Sequence, residues 1–193
     1  MTAHPTQAAV RLERIKGWAT SGEGSLRTHL DEWAAYEVGG GLLTRGMNQR
    51  WFNNPCAKSE GRRLLEHMDC FSPAARAICE RGASGDPAVK KPRKGEPAPF
   101  RLMVDHSIPV AVLGQEIKRS AELQTTASLR EFLILNFRRA VITFLEDDLL
   151  NRPDGQQGRS LRQRMPDGWS FGDDPYARYR AAGIKIEVVQ KVV

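Results

Sequence analysis

Apolar residues recur at helical spacing from Ala8 to Trp18. Ser25 stands where it caps a second helix through Trp33 and Tyr36, and Val38-Gly39-Gly40-Gly41 stops it. A third helix is predicted from Ser59 through Leu64, Leu65 and Met68. A fourth begins at Ser72-Pro73, a capping serine followed by proline at the first helical position, and ends at Arg81-Gly82. Residues 1–82 therefore read as a helical module. Residues 83–98 hold almost nothing that could be buried and read as a basic Pro/Gly linker or loop carrying Lys90, Lys91, Arg93 and Lys94.

From residue 99 the pattern changes. Phe100 to Val104 predicts a short strand that delivers Asp105 and His106 at its end. Pro109 bars an interior helix across that point, and Val110 to Ser120 starts one after it. Ser128 caps a further helix with Leu129, Phe132, Leu133, Asn136 and Phe137 on one side, and Ala140 to Leu145 is a second strand. Beyond a Gly-rich turn at Asp154 to Gly158 come an arginine cluster, a short helix near Pro175 to Ala182 and a last strand from Ile184 to Val189. The fold class is α+β: a helical N-terminal module, then a domain over 99–193.

Length and composition narrow the classes. A chain of 193 residues with 40% hydrophobic content can build its own core. The net charge of +6 is spread evenly, with two more cations than acids in each of residues 1–82, 83–98 and 99–193. Such a surplus permits binding to a polyanion without requiring it. Cys56, Cys70 and Cys79 form no Cys-x-x-Cys pair, which argues against a zinc knuckle or disulfide framework. The first 25 residues carry charges and no continuous apolar run, and no stretch reads as a membrane span, so the sequence predicts a cytoplasmic protein.

The chemistry concentrates in Val104-Asp105-His106-Ser107-Ile108-Pro109 and in Asp147-Asp148-Leu149-Leu150-Asn151-Arg152. A carboxylate holds a hard cation through oxygen, an imidazole takes a proton from water near neutral pH, and an asparagine carbonyl can complete a metal shell. Arg159, Arg162 and Arg164, with Arg152, could hold phosphates by paired hydrogen bonds, and Lys90, Lys91, Arg93 and Lys94 could lie along the same backbone. The alternative for the three clustered arginines is a solvated loop bridging to Asp167, Asp173 or Asp174, while Arg178 and Arg180 would brace the last helix. Trp51 and Phe52 read as anchors of a loop, and His67 has no partner at metal-ligand spacing.

These residues resemble the HNH, or ββα-metal, endonucleases, most closely the HNH domain of the RNA-guided CRISPR nucleases, over roughly Arg101 to Arg152. The resemblance implies two strands and a helix clasping one divalent cation, Mg²⁺ or Mn²⁺, on Asp105 and Asn151, with His106 as general base. It implies DNA as the substrate, with RNA as the alternative polymer. The chain departs from the family in two ways: 45 residues separate His106 from Asn151, which calls for a helix-sized insertion, and no histidine follows His106. One candidate site per chain would cut both strands only through a homodimer or two successive nicks. The competing readings are a non-catalytic nucleic-acid-binding or regulatory protein, in which Asp105 merely caps the following helix, and a protein-interaction module.

Overall fold

The computed structural model describes residues 5–37, 51–52, 58–68, 70–89, 100–152 and 160–188. Lys90, Lys91, Arg93, Lys94, Arg159 and the turns predicted at 38–41 and 154–158 lie outside the described residues. In chain order the first elements are α1 (Pro5–Ser21), α2 (Leu26–Glu37), β1 (Trp51–Phe52), α3 (Lys58–His67), β2 (Cys70–Phe71), α4 (Pro73–Ser84) and β3 (Leu102–His106). After them come α5 (Val110–Arg119), a single 3₁₀ turn (Ala121–Gln124), α6 (Thr126–Asn136), β4 (Arg139–Thr143), α7 (Phe144–Asn151), α8 (Ala177–Ala181) and β5 (Glu187–Val188). The class is α+β.

Two compact units form, one from Met1–Asn48 with Ile108–Arg138 and the other from Gln49–Ser107 with Arg139–Val193. This division differs from a helical module over 1–82 and a second domain over 99–193. The reason lies in Cys70-Phe71, too short a run to announce a strand, which pairs in parallel with Ala140-Val141 of β4 and so ties α3 and α4 to the sheet. The chain between β3 and β4, in turn, folds with α1 and α2.

In the first unit α1 packs on α2, α5 and α6. Leu12, Ile15, Leu30, Trp33, Leu113, Ile117, Leu129 and Leu133 are buried. Trp33 meets the edge of Phe137 at 6.1 Å. Ser25 caps α2 as its sequence suggests, accepting from Thr28 N. The cap of α6 is Thr125 rather than Ser128: its Oγ1 accepts from the Ser128 amide at 3.1 Å, which puts Ser128 inside the first turn.

The second unit is built on one five-stranded sheet in the order β1-β3-β4-β2-β5. Trp51 and Phe52 are therefore strand residues, opposite Met103 and Leu102. β3 and β4 are antiparallel, Met103 facing Ile142, Asp105 facing Ala140 and His106 facing Arg139. Alternation puts Met103, Asp105, Ala140 and Ile142 on one face, where Leu150, Leu161, Tyr179 and Ile184 join Cys70 in a buried cluster. The predicted strand Ala140–Leu145 stops at Thr143 because Thr143 and Glu146 form a capping box that starts α7.

One carboxylate oxygen then serves two helices. Glu146 Oε2 accepts from the Thr143 amide at 2.8 Å, from its hydroxyl at 3.0 Å and from Ser72 Oγ at 2.6 Å. Ser72 is the cap of α4, accepting from Ala75 N at 3.1 Å. At its other end α4 closes on Gly85, at φ +84°, where glycine carries no steric penalty. A Cβ on Gly61 of α3 would stand 2.7 Å from Cys79 O and 2.9 Å from Ala83 N, both backbone of α4. Gly61→Ala is expected to lose about 1–3 kcal/mol by overpacking, more than the roughly 1 kcal/mol alanine gains in a helix; a lowered urea midpoint checks it.

Candidate functional site

Asp105, His106, Asn151, Arg162 and Arg178 all belong to the sheet unit. Asp105 and His106 are the last two residues of β3, so their side chains leave opposite faces of the sheet. Any group that touches both must sit at the strand's terminus. His106 is buried at 4% exposure, and Ser107 beside it is fully buried.

Asp105 is held from α8. Arg178, 1% exposed, donates through Nη2 to Asp105 Oδ2, and the Tyr179 hydroxyl donates to the same oxygen at 3.1 Å. The guanidinium also donates to the His106 carbonyl and, at 2.9 Å, to that of Ser107. Its Nη1 donates to the carbonyls of Leu161 and Arg162, at 3.0 and 3.2 Å. One buried cation thus fastens the end of β3 to the segment 161–162. Burial works against the Arg178 charge, but Tyr179 and Asp105 outweigh it and raise the pKa further. Burial, with the Asp105 charge beside it, pushes the Tyr179 phenol well above its ordinary value, which keeps it a donor.

The loop before α8 sets this cation in place. Asp174 Oδ1 accepts from Tyr176 N, its carbonyl accepts from the Trp169 indole at 2.9 Å, and Asp173 Oδ2 accepts from Ser170 N. Tyr176 Oη lies 2.7 Å from Cys70 Sγ. The sequence predicts that Arg178 braces the last helix; its guanidinium fastens the end of β3.

Asn151 closes α7. Its Nδ2 donates to the Asp147 carbonyl and its Oδ1 accepts from Arg162 Nη1, both at 2.9 Å. Asp105 and Asn151 are therefore linked: Asn151 to the Arg162 side chain, the Arg162 carbonyl to Arg178, and Arg178 to Asp105. Arg164, partly buried, bridges to the exposed Asp167 at 3.2 Å, and Arg152 is exposed. Comparison with family models, curated proteins and solved structures finds no match for this chain. No helix among the described residues is long and apolar enough to cross a membrane.

Among the described residues no group of three or more His, Cys, Asp or Glu side chains could hold a metal ion. A magnesium-type cation takes one or two carboxylates and completes its octahedron with other oxygens; the oxygen donors among the candidates are one carboxylate, Asp105, which pairs with Arg178, and one amide, Asn151. Both hydrogen bonds to Asp105 from Arg178 and Tyr179 fall on Oδ2. Asn151 Oδ1 accepts from Arg162 and keeps a second lone pair.

Proposed function

We propose that the chain is a divalent-metal-dependent endonuclease of the HNH type, hydrolysing phosphodiester bonds in DNA. The supporting observation is the order of elements: β3, ending in Asp105-His106, pairs antiparallel with β4, which runs directly into α7 and ends on Asn151. That is strand, strand, helix, with the three candidate residues at two element ends. The long interval between His106 and Asn151 is taken up by α5, the 3₁₀ turn and α6.

In this reading His106 accepts a proton from the water that attacks phosphorus. The P–O bond to the 3′-oxygen breaks, leaving a 5′-phosphate and a 3′-oxygen that takes a proton from solvent water to become the 3′-hydroxyl. Asp105, fixed by Arg178 and Tyr179, and Asn151 would hold the cation, which supplies several kcal/mol of charge stabilisation at the phosphate. Exposed Arg152, with Arg162, would bind flanking phosphates.

The test is a plasmid-nicking assay. Supercoiled DNA incubated with the full chain is expected to relax with Mg²⁺ or Mn²⁺ and to stay intact with EDTA. Cleavage that EDTA does not affect, or that Asp105→Asn leaves at the wild-type rate, would remove the assignment.

A further inference from the structure

Two residues with separate roles in cleavage rest on one side chain. Arg178 of α8, buried against the end of β3, donates through Nη2 to the His106 carbonyl and through Nε to that of Ser107 at 2.9 Å. Its Nη1 reaches the other way, to the carbonyls of Leu161 and Arg162 at 3.0 and 3.2 Å. The backbones of His106 and Arg162 therefore hang on the two terminal nitrogens of a single planar guanidinium, whose covalent geometry sets their spacing. Asp105 supplies the opposite charge that a cation so deeply buried requires. A buried ion pair is often no more stabilising than apolar side chains of the same volume, so what the guanidinium adds is direction.

We propose that Arg178 is a positioning residue of the cleavage reaction, holding the general base His106 at a set distance from Arg162, a phosphate contact. It acts through the main chain. The His106 side chain leaves β3 on the face opposite Asp105, and the Arg162 side chain runs on to Asn151 Oδ1. Proton transfer from the attacking water needs imidazole and phosphorus set together, and a misplacement of about 1 Å costs about 10²-fold. Lysine at this position keeps the charge but not the fork, because an ammonium is a compact point charge without fixed donor directions. The role rests on the nuclease reading, and the clamp beneath it can be followed without DNA.

Arg178→Lys is the variant to compare with wild type, in the full chain and at a temperature where circular dichroism shows both folded. With protein in saturating excess over a short DNA duplex and Mg²⁺ present, the single-turnover rate follows bound, folded protein only. It is expected to fall about 10- to 10²-fold, while the dissociation constant for the duplex, read by fluorescence anisotropy in EDTA, stays within a few-fold. Hydrogen exchange followed by mass spectrometry should show residues 104–107 and 160–163 losing protection together while α1 and α2 keep theirs. A purely structural role would leave the single-turnover rate of the folded protein unchanged. That result with wild type cutting, a rate loss matched by an equal loss of affinity, or protection kept at either segment overturns the positioning role alone. No cutting by wild type overturns the nuclease reading and the role with it. Should Arg178→Lys fail to fold, the charge-free Arg178→Gln/Asp105→Asn pair is read by exchange: joint loss of protection at both segments supports the clamp, and protection kept at either overturns it.

Discussion

Arg178→Met is expected to destabilise the sheet unit by about 3–5 kcal/mol, the usual cost of removing one partner from a buried ion pair. The side chains of Arg178 and Asp105 are 1% and 15% exposed, so solvent screens the pair little. Among the described residues Asp105 would keep only the Tyr179 hydroxyl as a donor, and the carbonyls of His106, Ser107, Leu161 and Arg162 would lose one. Methionine fills much of the volume, so the loss reports charge and hydrogen bonding rather than a cavity. Adding Asp105→Asn should recover part of it, since the neutral amide no longer needs a cation. Urea unfolding followed by circular dichroism reads both. A single variant within about 1 kcal/mol of wild type would mean that the pair is dispensable. Should Arg178→Met fail to fold, Arg178→Lys, which keeps the charge and loses the fork, should fall between the two.

His106→Gln is expected to slow metal-dependent nicking by about 10²–10⁴-fold, the usual worth of a positioned general base. Glutamine is chosen because His106 is buried and alanine would leave a void. DNA affinity should hold within a few-fold, since phosphate contacts are assigned to arginines. The comparison is of single-turnover rates at saturating protein in Mg²⁺, with thermal melts as control. If His106→Gln and His106→Ala both cut as fast as wild type, His106 is not the base and the Asp-His pair is architectural.

Much of the α+β frame can be read from local chemistry. Ser72-Pro73 announces α4 because cap and proline act within one turn, and Val110 to Ser120 announces α5 because Pro109 can only precede it. The parts that escape are non-local. β1 and β2 are two residues each and exist only because β3 and β4 lie beside them. The end of β4 was legible in Thr143-x-x-Glu146, but Val141-Ile142-Thr143 before it and Phe144-Leu145 after it look like continuing strand. At the site, Asp105, His106 and Asn151 stand out by residue type. Arg162 also stands out, as a phosphate candidate, but its pairing with Asn151 does not, and Arg178 reaches Asp105 across 73 residues of chain, which no spacing rule spans.

The shared Glu146 oxygen bears on where the smallest working piece of this protein can be cut. The motif resemblance runs from Arg101 to Arg152, yet Ser72, which supplies one of the three donors on that oxygen, lies well before it. The same is true of β2, which pairs with β4, and of β1, which pairs with β3. Arg178, which anchors Asp105, lies well after it. A fragment trimmed to the motif would expose both edges of a two-stranded ribbon and strip the helix start of a partner. The two strands and helix of the motif are thus held by β1, β2, Ser72 and Arg178, all outside Arg101–Arg152 and all in the same compact unit as the motif's strands.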